Sequence, residues 1–107
     1  MFTRKNETLL IIAGSSDYCL LETFEPHCTD GQVVLIDSAI YGRTKNNRCV
    51  PHGAGNVGCF VDVKKIVESL CSGRRTCKVD VVHKSLLAKR PCGEMSAFLT
   101  VSYSCLK

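Results

Sequence analysis

The sequence predicts a small α+β domain in which antiparallel strands flank a helix and disulfide bonds hold the chain together. Three observations lead to this fold class. The 107 residues include eight cysteines, one segment has a helical apolar period, and one segment alternates between apolar and polar residues. A chain of this length forms one domain with a modest core. With 45% hydrophobic and 22% charged residues, it is neither a disordered tail nor a fibre or coiled coil.

Residues 1–17 are expected to form a lead-in to a domain at residues 18–107. Within the lead-in, Asn6-Glu7-Thr8 is an N-glycosylation sequon, which makes Asn6 a candidate glycosylation site. The apolar run from Leu9 to Ala13 is too short for a signal-peptide core, which needs about 7–15 residues. Nothing approaches the roughly 20 apolar residues of a membrane span. We therefore expect an excised piece of a longer extracellular chain.

The first strand of the domain is predicted after the turn signal Thr29-Asp30-Gly31 and runs over residues 32–37, continuing to residue 43. The glycine-rich residues 51–58 are expected to form a surface loop. From Phe60 to Leu70, apolar residues recur at steps of three and four, which predicts a helix near residues 61–71. Asp62 suits the start of this helix and Gly73 its end.

Two further strands are predicted in the second half of the chain. Residues 77–81 alternate over a short stretch, and residues 97–105 alternate more clearly. In the second of these, one face carries the apolar residues Ala97, Leu99, Val101, Tyr103 and Cys105. This strand is expected to be half buried, with an apolar face on the core and a polar face outside.

The cysteines allow two interpretations, disulfide bonds or a zinc site. They are Cys19, Cys28, Cys49, Cys59, Cys71, Cys77, Cys92 and Cys105. Structural zinc sites typically use cysteine pairs separated by two to four residues, whereas the closest pair here, Cys71 and Cys77, has five residues between. We therefore predict four disulfides and no metal, in an extracellular, secreted or ectodomain setting. The spacing alone leaves all 105 pairings open.

No enzyme motif is present. The sequence lacks Gly-x-Ser-x-Gly, a phosphate-binding glycine loop and His-Glu-x-x-His, and a cysteine nucleophile would need a free thiol. His27, His52 and His83 form no metal-ligand pair and are interpreted as surface or loop residues. The chain is therefore predicted to be no enzyme and to need no cofactor.

Basic residues are concentrated in residues 64–90, where only Glu68 and Asp80 are acidic. If they converge, they form a patch for an anionic glycan such as heparan sulfate or for an acidic partner; otherwise they form an ordinary solvated face. The net charge of +4 is well short of a nucleic-acid binder, so no nucleic-acid partner is expected. The residues are Lys64, Lys65, Arg74, Arg75, Lys78, Lys84, Lys89 and Arg90.

The segment Ser38-Ala39-Ile40-Tyr41-Gly42-Arg43-Thr44 resembles the signature of the sea-urchin-egg-lectin (SUEL) family. These are galactose- or rhamnose-binding lectin domains, also found in latrophilins, Eva guidance receptors and plant β-galactosidases. The similarity covers residues 18–106 and includes Asn56 to Cys59, the short loop from Cys71 to Cys77, Pro91-Cys92 and the closing segment from Phe98 to Cys105.

The resemblance implies a compact antiparallel β-sandwich with one or two helices. It also implies the disulfide pairs Cys19–Cys49, Cys28–Cys105, Cys59–Cys92 and Cys71–Cys77.

The resemblance is weaker at the positions that bind sugar in the family. Leu20 replaces a glutamate, Arg90 an aspartate, Glu94 a glycine and Ala97 a lysine. Tyr41-Gly42-Arg43 is retained, and it also fits a structural role, with Gly42 on a tight backbone path and Tyr41 in the core.

These replacements imply a recognition module that binds a protein ligand or co-receptor, as part of a receptor ectodomain that meets a membrane only through its parent protein. The alternative is a lectin with a shifted site or an anionic-glycan site. The candidate ligand-binding residues are Tyr41, Gly42, Arg43, Glu22, Arg90 and Glu94.

Overall fold

A computed structural model describes residues 10–50 and 57–107. In this part of the chain, eight elements follow one another. They are β1 (Leu10–Tyr18), β2 (Thr23–Phe24), β3 (Val33–Arg43), β4 (Cys59–Asp62), α1 (Lys64–Cys71), β5 (Val79–Asp80), α2 (Lys84–Leu87) and β6 (Phe98–Leu106). The candidate glycosylation site Asn6, His52 and most of the predicted glycine-rich loop lie outside the described residues.

The strands form two antiparallel sheets around one core. The larger sheet has the order β1-β6-β3-β4 and the smaller one consists of β2 and β5. Ile36 and Leu99 from the larger sheet and Phe24 and Val79 from the smaller sheet belong to the same buried cluster, together with Val67 of α1. The predicted α+β fold with antiparallel sheets, four disulfides and two helices is confirmed.

Strand β6 is central, because it pairs with β1 on one side and β3 on the other. Its predicted alternation is confirmed for Leu99 and Val101, which are buried. Ser104, expected on the polar face, is also buried, and its hydroxyl donates a 2.7 Å hydrogen bond to Asp37 Oδ2. This bond satisfies the hydroxyl and lets a polar residue lie within the sheet.

Helix α1 begins three residues later than predicted. Residues 59–62 form β4 and pair with the end of β3, so Phe60 lies on an edge strand with 55% of its surface exposed; its assignment to the helical apolar stripe is wrong. The N-cap residue is Val63, which makes no side-chain capping bond; the backbone N–H of Lys64, at the first helical position, instead donates to Asp62 Oδ1 at 2.8 Å. Val67 and Cys71 bury the helix face that packs on β3.

The predicted strand at residues 77–81 is reduced to the two residues of β5. Cys77 is bonded to Cys71 at the end of α1, so the chain is drawn toward the helix before it can pair with β2.

All four implied disulfide pairs are confirmed: Cys19–Cys49, Cys28–Cys105, Cys59–Cys92 and Cys71–Cys77. The zinc alternative is excluded for these residues because every cysteine sulfur is bonded to another.

Strand β1 crosses the boundary expected between residues 17 and 18. Residues 10–17 pair with β6, with a bulge between Ile12 and Gly14. Within the described ranges, no helix is long and apolar enough to cross a bilayer.

Candidate functional site

A cleft of about 380 Å³ lies beside the end of β3. The segment from Arg90 to Ala97 forms much of its lining, and Leu20, Tyr41 and Leu87 complete it. The disulfide Cys59–Cys92 anchors the segment to β4. The cleft is therefore assembled from parts of the chain that are about 70 residues apart.

The three residues Tyr41-Gly42-Arg43 contribute to this site in different ways. Tyr41 is buried in the core, lines the cleft and has its phenol pKa raised by that burial. Gly42 has a φ of +145°, and a Cβ there would overlap the Cys59 carbonyl oxygen and lie 2.5 Å from Phe60 Cα. Glycine is thus needed for β3 to approach β4, as expected for a tight backbone path at Gly42, and Tyr41 combines a place in the core with a place on the cleft.

Arg43 supports the cleft from behind. It is only 4% exposed, and its Nε donates to the Ser96 carbonyl at 2.7 Å while its Nη2 reaches Ser96 Oγ at 3.3 Å. These bonds from a buried guanidinium fix the lining segment to β3. Arg43 is not one of the residues that line the cleft.

Glu22 also lies outside the cleft lining. Its two carboxylate oxygens accept hydrogen bonds of 2.7 and 2.8 Å from the Arg48 guanidinium, and Oε1 accepts another from the Cys19 N–H at 2.8 Å. The hydrogen bonds from Arg48 and then from Cys19 lower the pKa of Glu22 to about 2. The carboxylate is thus already engaged in holding the loop around Arg48 next to the Cys19–Cys49 disulfide.

Arg90 and Glu94 form an ion pair on the cleft, with Nη2 and Oε2 3.1 Å apart. Both side chains are exposed, Arg90 by 62% and Glu94 by 96%. Arg90 has a φ of +46° and is the one non-glycine residue with positive φ in the described part of the chain. Among the described residues that line the cleft, Glu94 is the one carboxylate. Its ion pair with Arg90 engages the acceptor that a sugar hydroxyl would otherwise use.

Four residues all line this cleft: Leu20, Arg90, Glu94 and Ala97. They are the positions that the resemblance alone would assign to sugar binding. The fold therefore brings together positions that only the resemblance connected.

Comparison with known protein families agrees with this geometry. The family model described as "D-galactoside/L-rhamnose binding SUEL lectin domain" matches residues 26–105. The chain belongs to the SUEL lectin family. An L-rhamnose-binding lectin, ELEL-1, of Echinometra lucunter is 35% identical over 79 residues, which cover 72% of this chain and 75% of that lectin.

Two other relatives are longer than this SUEL domain. The L-rhamnose-binding lectin SML of Scomberomorus niphonius is 34% identical over 83 residues, covering 74% of this chain and 40% of that lectin. Adhesion G protein-coupled receptor L1 of Mus musculus is 33% identical over 85 residues, covering 77% of this chain and 6% of the receptor. The family thus includes both lectins and a small part of a large receptor.

Several apolar residues at this site were not predicted from the sequence of the SUEL domain. Leu87 and Met95 line the cleft, and Leu20 and Leu87 are exposed although they are large and apolar. Next to Leu20, Leu21 is 87% exposed. The sequence signal was a Leu-Leu pair directly after Cys19, which no strand or helix period explains.

The basic residues of the SUEL domain do not all meet at one place. Lys64, Lys65 and Lys89 line a second cavity of about 480 Å³, together with Asp62 and Glu68. Lys64 Nζ is 3.9 Å from Glu68 Oε2.

The other basic residues lie elsewhere. Arg90 lines the first cleft. Arg75 pairs with Asp30, and Lys78 Nζ is 4.0 Å from Glu25 Oε2. Lys84 starts α2, and Arg74 follows Gly73 beyond α1, where its carbonyl accepts from the Val34 N–H.

Proposed function

We propose that this SUEL domain is a non-catalytic recognition module, in a secreted protein or receptor ectodomain, whose cleft binds a protein ligand. The observation that carries the proposal is the composition of the cleft. Leu20, Leu87, Met95 and Ala97 give it an apolar lining. The one carboxylate of its lining in the described part of the chain, Glu94, is paired with Arg90. The four disulfides and the receptor relative support the extracellular setting.

A protein ligand suits this lining better than a monosaccharide. A sugar presents adjacent hydroxyls, each of which needs a donor and an acceptor. Replacing a glutamate by Leu20 and an aspartate by Arg90 removes two charged acceptors, and a hydrogen bond to a charged group contributes about 1.5–3 kcal/mol. Exposed apolar side chains beside a cleft are instead typical of surfaces that bind proteins.

The test is an NMR titration of the oxidised domain with L-rhamnose and with D-galactose up to millimolar concentrations. We expect no chemical-shift changes at Tyr41 or in residues 90–97. The L-rhamnose-binding lectin of Echinometra lucunter, titrated in parallel with L-rhamnose, is the positive control. Saturable shifts in the cleft with either sugar would contradict the proposal and establish a working lectin site.

A second candidate function is binding of an anionic glycan such as heparan sulfate at the second cavity. It is supported by Lys65 and Lys89, which line that cavity and have no ion-pair partner within the described ranges. Retention on immobilised heparin above physiological salt is the expected result, and it should fall in a Lys65→Glu/Lys89→Glu variant. The control is Lys78→Glu, because Lys78 lies near Glu25 instead. Elution below physiological salt would exclude this function.

A further inference from the structure

We propose that the cleft recognises an acidic-apolar segment of its protein ligand, in which a large apolar side chain enters the cleft and a neighbouring Asp or Glu carboxylate binds Arg90. This inference rests on the proposed function and specifies the chemistry of the ligand.

The apolar half of the proposal follows from the surface around the cleft. Leu20 and Leu87 line the cleft while remaining partly open to solvent, and Leu21, which follows Leu20 in the chain, is 87% exposed. The Val81 N–H donates to the Glu22 carbonyl at 3.1 Å, which places the exposed Val82 on the segment that runs beside Leu21. Apolar residues therefore continue from the cleft onto the adjoining surface, where a ligand's apolar side chain would remove them from water.

The acidic half follows from the state of Arg90. A guanidinium has five N–H donors, yet the Arg90–Glu94 contact uses one nitrogen and one oxygen and is not the two-bond fork that arginine forms with a well-placed carboxylate. Because both side chains are exposed, the pair is held weakly. A ligand carboxylate can displace Glu94 and form the fork.

The backbone of Arg90 supports the same conclusion. A positive φ is uncommon for a residue with a long side chain, and such conformations persist where the surroundings enforce them, often at binding sites. Here Pro91 follows Arg90, and Cys92 is fixed by its disulfide to Cys59. The chain thus holds Arg90 in an unfavourable conformation directly on the cleft.

The charge of this wall is complementary to an acidic partner. Lys84 and Arg90 lie on either side of the lining residue Leu87 in the sequence, and Glu94, the acidic residue of the lining, is paired with Arg90. Lys84 begins α2 three positions before Leu87, so the two residues share a helix face. A carboxylate beside an apolar side chain would therefore approach a positive surface.

The experiment selects displayed random decapeptides on the oxidised domain and measures the binding of synthetic versions of the enriched peptides. We expect enrichment of peptides with Asp or Glu within two positions of a large apolar residue. The affinity of these peptides should fall at least about tenfold in Arg90→Glu and in Leu87→Ser. The matched control, Lys78→Glu, makes the same charge change outside the cleft, near Glu25, and should bind as the parent does. Two-dimensional NMR spectra of each variant verify the fold.

Three outcomes would overturn the inference in different ways. If peptide affinity falls in Leu87→Ser but not in Arg90→Glu, the ligand carboxylate is not recognised by Arg90. The protein-binding function would still be supported. An absence of any peptide whose binding depends on Leu87 would remove the protein-binding function as well. Heparin-derived oligosaccharides that shift cleft resonances in the parent but not in Arg90→Glu would assign the carboxylate to a glycan.

Discussion

Gly42 lies where β3 passes closest to β4, opposite Phe60 in the register. The need for glycine at this position arises from the packing of two strands against each other. The sequence predicted it only through the resemblance of Tyr41-Gly42-Arg43 to a family motif. The roles of Arg43 and Glu22 were less predictable. No local sequence pattern indicates that Arg43 binds Ser96 or that Glu22 binds Arg48. Both residue types are common in sugar sites, and only the fold shows that their hydrogen bonds are internal.

We predict that Gly42→Ala destabilises the domain by about 2–5 kcal/mol, through overlap with Cys59 and Phe60 and through a φ that alanine disfavours. The matched control is Gly31→Ala. Gly31 also has a positive φ, but a Cβ there meets nothing within 4 Å, so the cost should be only about 1–2 kcal/mol. Urea unfolding with the disulfides intact measures both. If both variants lost the same free energy of unfolding, the overlap with β4 would contribute nothing to the cost at Gly42, and the prediction would be wrong.

At the scale of elements, local sequence patterns predicted whether a segment is a helix or a strand better than they predicted where it begins and ends. The period from Phe60 to Leu70 identified α1, but its first residues belong to β4 because they pair with β3, some 20 residues earlier. Such pairing is decided by a distant partner and not by local propensity. The segment from Arg90 to Ala97 has no regular structure to predict, and what holds it is Arg43 together with the Cys59–Cys92 bond.

We predict that Arg43→Lys loosens the cleft wall without unfolding the domain. Lysine keeps the charge but loses the two directed bonds to Ser96. Exchange of the hydrogen-bonded amide of Met95 should accelerate about 10–100-fold, while the Val67 amide in α1 keeps its rate. Native-state hydrogen exchange followed by NMR measures this, with Arg48→Lys as the control. Equal acceleration at both amides would point to general destabilisation and contradict the specific role of Arg43.

At the scale of the whole molecule, the larger sheet extends before residue 18 into the stretch expected to be a lead-in, because β1 pairs with β6 from Leu10 onward. Asp17 accepts hydrogen bonds from Thr100 at 2.7 Å and Asn47 at 2.8 Å. Burial alone would raise the pKa of Asp17, but these bonds and nearby Lys45 hold it below its usual range. The sequence alone assigned Asp17 to the lead-in, because a partner more than 80 residues away cannot be recognised from composition.

We propose that the domain begins at or before Leu10, and predict that a chain shortened to residues 18–107 is at least about 3 kcal/mol less stable than one comprising residues 10–107. Removing β1 leaves one edge of β6 unpaired and deprives Thr100 and Asn47 of their acceptor. Calorimetry should show a melting temperature more than about 10 °C lower. If the two chains melted at the same temperature, β1 would contribute nothing to stability and the domain would begin at residue 18.

The central position of β6 also has a consequence for biosynthesis. A ribosome completes β1 and β3 more than 50 residues before it reaches Phe98, an interval of about 3–10 s at ordinary elongation rates. During that interval the two strands lack the one that joins them, the apolar row of Val34 and Ile36 has no sheet partner on that side, and Cys28 has no Cys105 to pair with. The Cys28–Cys105 bond and the joining of β1 to β3 therefore belong to the last stage of synthesis, when β6 emerges.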